Sequence, residues 1–410
     1  MSLRTASVKN HSSDDEKAQA NYSTGVVEPY EDPMEENEVF KKTKDGVDFR
    51  TVGWPRAPVI FLKVIFATGV LSIPSAMYSL GALGGALSFL GWGALNTYTA
   101  VVQGNFRNSH PACHSIADMA AFLGGNVLKE IVGALFLVAY VLCAGSGILG
   151  VSIGLNALSS HAAYTVWWSF IATIVFAATV SVRKFHQIGG LTWAVFISIF
   201  VAVFIIVVAV TTLDRPAAAP QDGDFDHHVI RHPTFIAGMT ASATIFVSSS
   251  GTSAFLPVIS EMRQPKDFKK ALFTCMAIVQ IAYLSFALVV YKWCGQSYYK
   301  KVAYGIGLIG LIVSATLYLH VAAKYLFQNT IIHWGTWLGC TISVSSLSFL
   351  LAEAIPIFNY LLALTGSVCF TPLAIALPGC FIRQKATYYA HCTLPPLGAF
   401  LCVGGTYAAV

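Results

Sequence analysis

Charge is scarce in this chain. Lys and Arg together number 25 and Asp and Glu 20, or 11% of 410 residues, where an ordinary soluble domain carries about 25%. So few charges cannot cover the surface of a 44.0 kDa soluble protein, which excludes a typical cytosolic enzyme, a disordered protein and a nucleic-acid binder. Chemistry-bearing patterns are missing too. No Cys-x-x-Cys pair occurs among the nine cysteines, so neither a zinc site nor a thioredoxin-like site has support, and no metal is expected. There is no His-Glu-x-x-His, no Gly-x-Gly-Asp and no pair of carboxylates inside an apolar run; Glu353 stands alone at the end of one. A nucleophile or metal for intramembrane hydrolysis is therefore lacking, and the reading is of a protein that is not an enzyme and uses no cofactor.

What is present is apolar sequence, 55% of the chain. The scarce charge is also unevenly placed. Residues 1–56 hold 8 basic and 11 acidic side chains, and the other 354 hold 17 and 9. The Ser-, Asp-, Glu- and Lys-rich beginning cannot bury enough apolar area to offset its ordering entropy, so residues 1–50 are expected to form a disordered cytosolic tail and 51–410 a transmembrane domain. About 20 apolar residues cross a bilayer core. The runs 57–79, 82–106, 128–154, 163–182, 188–212, 234–258, 271–292, 302–326, 331–352, 355–380 and 387–410 predict eleven spans. They are far too long for barrel strands, so they are read as helices, giving an all-α polytopic membrane protein. With the N-terminus in the cytosol, the inside segments carry 11 basic residues besides the tail and the outside segments carry 5, the asymmetry that sets orientation.

Two spans contain helix-breaking stretches. The first has Ala67-Thr68-Gly69-Val70-Leu71-Ser72-Ile73-Pro74, and the sixth has Phe246 through Pro257, with Ser248-Ser249-Ser250-Gly251-Thr252-Ser253 at its centre. Gly and hydroxyl residues lower helix propensity and Pro removes an amide donor. Close packing of small residues explains one such stretch equally well. Two in register, at spans one and six, match the discontinuous helices that open each half of a 5+5 inverted repeat. An opened helix exposes N–H groups to a carboxylate and C=O groups to a cation.

These residues resemble a known family. Thr68-Gly69-Val70-Leu71-Ser72-Ile73-Pro74 is similar to the first-span motif of the amino acid/auxin permeases. Phe255-Leu256-Pro257-Val258-Ile259-Ser260-Glu261-Met262, followed by Pro265-Lys266-Asp267-Phe268, is similar to their sixth span and the loop after it. The stretch from Asp48 to Val410 resembles the neutral amino acid permeases of filamentous fungi, of the methyltryptophan-resistance type. The resemblance implies a LeuT-type fold of ten core spans plus one, with secondary active transport of amino acids. It implies that Thr68, Gly69, Val70, Leu71 and Ser72 with Ser248, Ser249, Ser250, Gly251 and Thr252 hold the substrate, and that Tyr140 of span three caps it; a tyrosine packed in the core is the plain alternative for Tyr140. Sodium-coupled relatives place a side-chain amide in span one and a hydroxyl in span eight. Here the span-one position is Lys63, and span eight offers Ser314 and Thr316. An ammonium there repels or replaces a cation, which favours proton over sodium coupling; a Lys63 that snorkels to the cytosolic interface is the plain alternative.

No carboxylate lies near either break, so neutral aliphatic and aromatic amino acids are the expected substrates. Import across the plasma membrane by proton symport is the favoured reading. A vacuolar exporter or a non-transporting sensor shares every motif. Lysines 9, 17, 41, 42 and 44 of the tail offer sites to ubiquitin-ligase machinery. Finally, Pro395-Pro396 near the middle of the eleventh run is expected to kink or weaken that span.

Overall fold

The computed structural model describes residues 52–65, 69–159, 162–181, 228–327, 334–381 and 393–409. Among them the protein is helical, and its one bridge of β type joins Val52 to Met262. The helices are α1 (Ala57–Ile65), α2 (Gly69–Ser109), α3 (Ile116–Leu158), α4 (Thr165–Val180), α5 (Phe235–Val247), α6 (Phe255–Ser260), α7 (Phe268–Phe327), α8 (Trp334–Ala354), α9 (Phe358–Leu364), α10 (Leu377–Cys380) and α11 (Leu394–Ala409). Six described helical stretches are long and apolar enough to cross a membrane, and Thr165–Val180 and Leu394–Ala409 are shorter apolar helices. The expected span 188–212 and the tail lie outside the described residues.

Several helices carry two expected elements each. α2 leaves helical geometry at Gly81, where φ is +80°; there Ala82 N donates to His228 O (3.0 Å) and Leu83 N to Val229 O (2.9 Å). A Cβ at Gly81 would also sit 2.8 Å from Arg231 N, so the turn between the first two spans needs glycine on both counts. α3 breaks likewise at Gly124 and Gly125, which separates a short leading turn from the third span. That turn is opened by a capping box, Ser115 Oγ accepting from Asp118 N and Asp118 accepting from Ser115 N.

α7 is assigned over 60 residues, and a straight helix of that length would reach about 90 Å. Yet Phe268 at its start lies against Gly104 of α2. Lys324 near its end acts electrostatically on His114 and Glu261. Both ends therefore share one end of the bundle, and the element is two antiparallel legs, the expected spans seven and eight. At the other end of the bundle Tyr291 Oη donates to His228 O (2.9 Å).

One expectation fails. α11 starts at Leu394, so Pro395 and Pro396 occupy its first turn rather than its middle. The amides missing from a first turn have no intrahelical acceptor anyway, and the fixed φ suits a helix start. These prolines begin the helix; they do not kink it.

Candidate functional site

The sixth span is broken where the sequence indicates. α5 ends at Val247, a 3₁₀ turn runs Gly251–Ala254, and α6 continues the chain to Ser260. The hydroxyls of this stretch are occupied locally. Ser248 Oγ donates to Ile245 O (2.7 Å) and Ser250 Oγ to Val247 O (3.2 Å), the back-bonding that competes with helical continuation. Asn96 of α2 supports the end of α5, its Nδ2 reaching Ser249 Oγ (2.8 Å) and Phe246 O (3.4 Å). In the first span α1 runs to Ile65 and α2 from Gly69, and residues 66–68 lie outside the described residues. Tyr283 of α7 donates from Oη to the carbonyl of Ile65 (2.9 Å), the last described carbonyl of α1.

The two breaks touch. A Cβ on Gly69 would come within 2.8 Å of Ser248 Cα and 3.0 Å of its Cβ. Beneath them Phe61 of α1 stacks on Phe255 of α6, centroids 4.2 Å apart, and Phe246 meets the Trp92 ring edge-on at 5.5 Å. Phe246 and Phe255 therefore pack against neighbouring rings.

A cavity lies at this junction. Gly69, Ser248 and Gly251 from the breaks bound one part of it. Val64, Ile65 and Val247 come from the helix ends, and Tyr140, Cys143, Tyr318, Leu362 and Phe370 from spans three, eight and ten. The space between these residues is about 380 Å³, part of it open at the mouth, and its interior is narrow enough to hold about one water, so an amino acid enters only as walls move. None of the described lining residues is charged. Tyr140 is fully buried, and its Oη lies beside Ser253 Oγ without either closing a hydrogen bond of normal geometry to a described residue. Thr252 Oγ1 is likewise buried without a partner among the described residues. Unpaired buried hydroxyls cost about 1–3 kcal/mol each, and they are the donors a polar ligand would satisfy.

The structure thus brings Gly69, Ser248, Gly251 and Tyr140 to one cavity and buries Ser249, Ser250 and Thr252 in the adjoining break. Ser72 Oγ instead donates to Gly69 O (2.7 Å), steadying the start of α2. Thr68 lies outside the described residues, as do the side chains of Lys63, Val70 and Leu71. Of the expected ion-coupling hydroxyls, Thr316 turns away from the cavity. It donates to Ile312 O (2.8 Å) and pairs with Thr179 of α4 at 3.0 Å. Ser314 is buried one turn from Tyr318 on the same face of α7, without lining the cavity. Asn96, Tyr283, Tyr318, Leu362 and Phe370 were not legible as site residues, because their roles arise from contacts between distant segments.

At the bundle end that holds Phe268, Val52 N donates to Glu261 O (3.1 Å) and Arg263 N to Val52 O (2.9 Å). The approach to span one is thereby pinned to the exit from span six. Burial pushes the Glu261 carboxyl above its ordinary value, and the Lys324 ammonium opposes that shift. Burial together with Lys324 holds His114 below its own ordinary value, against Asp118.

A helix bundle whose sixth span breaks against the first at a cavity matches the architecture of a secondary transporter. By sequence, the chain belongs to the transmembrane amino acid transporter protein family, whose profile matches residues 50–387. It is 44% identical to a transmembrane transporter of Gibberella moniliformis strain M3125, over 91% of this chain and 86% of that one. A transmembrane transporter of Fusarium pseudograminearum is 42% identical over 92% and 87% of the two chains. The N amino acid transport system protein of Neurospora crassa is 25% identical over 80% and 76%. In fold the chain is similar to MhsT, solved in complex with L-phenylalanine, with a TM-score of 0.56, 13% identity, and coverage of 86% of this chain and 95% of that one. The LeuT-type fold is thereby shown.

Proposed function

We propose that this protein imports neutral L-amino acids across the plasma membrane by proton symport, with alternating access to the cavity between the two broken spans and with its N-terminus in the cytosol. One observation carries the reading: the cavity joins helix-break backbone on one side to an apolar wall on the other, with no charged residue among the described residues that line it. In this reading the amides of Thr68, Gly69 and Val70 hold the carboxylate. Carbonyls and hydroxyls between Ser248 and Thr252 hold the ammonium, and Tyr140 closes over them. Without an acid or base among the described lining residues a charged substrate side chain would lack its counter-ion there, which supports neutral aliphatic and aromatic substrates. The family supports amino acids as the substrate class.

Lys63 in α1 is the residue we assign to proton coupling, where its ammonium excludes sodium. The placement of Thr316, which pairs with Thr179 of α4 and is not among the described lining residues of the cavity, supports this. The test is uptake of radiolabelled neutral, acidic and basic amino acids in permease-deficient yeast, with and without a proton uncoupler. Accumulation of neutral amino acids alone, abolished by the uncoupler, is expected. A sodium requirement would overturn proton coupling, and normal pH-driven uptake by Lys63→Ala would overturn the role of Lys63.

A further inference from the structure

Span ten is wound differently from its neighbours. After α9 it continues as π-helix over Thr365–Phe370 and Pro372–Ala376 before α10 closes it. The widened register is explicit in the backbone: Thr371 N donates to Gly366 O, and Leu377 N to Pro372 O, each five residues back. Thr371 Oγ1 adds a second donor to Gly366 O (2.8 Å). One extra residue in a turn rotates the remainder of the span by about 100° relative to an α-helix, and π turns of this kind gather at functional positions.

Two consequences meet at the cavity. Phe370, at the end of the first π stretch, is turned into the cavity wall, buried and edge-on to the Tyr140 ring at 6.0 Å. In the same register the next free acceptor, the carbonyl of Leu373, faces position 378, which is proline and has no N–H. That carbonyl is taken by a side chain from another helix: Gln103 of α2, 1% exposed, donates from Nε2 to Leu373 O (3.2 Å). Span ten is also anchored beside the sixth-span break, since a Cβ on Gly366 would lie 2.9 Å from Ala243 O and 3.2 Å from Val247 Cβ.

From this we infer that Phe370 is a specificity-determining residue, the floor of the side-chain end of the substrate cavity, and that Gln103 is a positioning residue that holds the π register by replacing the amide Pro378 lacks. The inference rests on the proposed use of this cavity for a neutral amino acid. The backbone of the breaks fixes the amino and carboxylate groups, and the ring of Phe370 limits the length of the side chain.

The experiment is uptake by the full-length protein in permease-deficient yeast. Vmax/KM is measured for alanine, leucine and tryptophan, normalised to protein at the cell surface. Phe370→Ala should raise the tryptophan-to-alanine ratio about tenfold or more, the scale on which an apolar pocket discriminates by volume. Phe370→Leu should move it the same way by less, and serves if Phe370→Ala does not reach the surface. Gln103→Ala should shift the ratio about three- to tenfold, the effect of one buried hydrogen bond. Pro378→Ala alone should leave the ratio unchanged. In Gln103→Ala/Pro378→Ala the new amide at 378 can pair with Leu373 O, and the ratio should return toward that of the unaltered protein. An equal loss for all three substrates in both Phe370 variants would overturn the specificity role. A double variant as shifted as Gln103→Ala alone would overturn the positioning role. Absence of saturable neutral amino acid uptake by the unaltered protein would instead overturn the reading of the cavity itself.

Discussion

The two helix breaks occupy corresponding places in the two halves, and each is held by the other half. The end of α5, in span six, is supported by Asn96 of span two. The end of α1, in span one, is capped by Tyr283 of span seven. Spans two and seven also correspond, so the support is exchanged across the repeat although the chemistry differs, an amide in one case and a phenol in the other. The breaks differ in local content as well. Span six carries a run of serines that satisfy its own freed carbonyls, whereas the carbonyl that closes α1 takes its donor from a side chain 218 residues away. A broken helix in a bilayer is stable only where its freed backbone groups find partners. This molecule supplies them from two sources, local hydroxyls, most of them in span six, and donors brought in through tertiary packing, Asn96 to span six and Tyr283 to span one.

The strongest way to break this pairing is to push the two openings apart. Gly69→Val places a branched side chain where even a Cβ meets Ser248 Cα at 2.8 Å. Overpacking of this kind costs about 1–3 kcal/mol, and here it falls on the junction that forms the cavity. Uptake per surface molecule should be lost, and pairing the change with Ser248→Gly should not rescue it, because the Ser248 Cα itself is in the way. Radiolabelled uptake normalised to surface-labelled protein measures this. Recovery in the double variant would show that the contact is between side chains only.

Next in size are the two supports themselves. Tyr283→Phe leaves the Ile65 carbonyl without its Tyr283 donor, and Asn96→Leu removes both bonds to span six. An orphaned buried group costs about 1–3 kcal/mol, so Asn96→Leu should be the more destabilising. The midpoint of thermal unfolding in detergent reads the difference. If the halves support each other through the Gly69–Ser248 contact, the double variant should depart from additivity by about 0.5–3 kcal/mol, as coupled sites do. Strict additivity would show that the two breaks are held independently.

How far the sequence led can be judged on these same elements. Hydropathy and the Gly, Ser and Pro stretches pointed to the spans and to the break in span six, because both are local properties of composition. Asn96 and Tyr283 were hidden because the contacts that give them meaning span 153 and 218 residues. Tyr140 was legible only through family resemblance, since a buried tyrosine carries no signal of its own. The face taken by Thr316 was not readable, as hydropathy says that a span is apolar but not which neighbour each side meets. The π register of span ten has a local trace in Pro372 and Pro378, yet prolines are common in spanning helices and the trace meant nothing until Gln103 was seen at Leu373. The expected kink at Pro395-Pro396 failed for a related reason. Proline breaks a helix interior and favours a first turn, and hydropathy does not fix where a helix starts.

The smallest effect lies where the two halves are pinned at their ends. Backbone bonds join Val52 to Glu261 and Arg263, and burial raises the Glu261 carboxyl above its ordinary value of 4.5 against the pull of Lys324. A carboxyl raised on folding binds its proton more tightly in the native state. Its contribution to stability is therefore fully present below the ordinary carboxylate pKa and is lost as pH rises through the raised one. Glu261→Gln removes this dependence and should flatten the fall in melting temperature as pH rises above the ordinary carboxylate pKa. Lys324→Met removes the opposing cation, raises the carboxyl further, and should steepen that fall and carry it to higher pH. The unaltered protein should lie between the two variants when all three are melted in one detergent across that rise in pH. Superimposable profiles for all three would mean that the pinned end does not feel the Glu261 charge, and that the two halves are joined there by their backbone bonds alone.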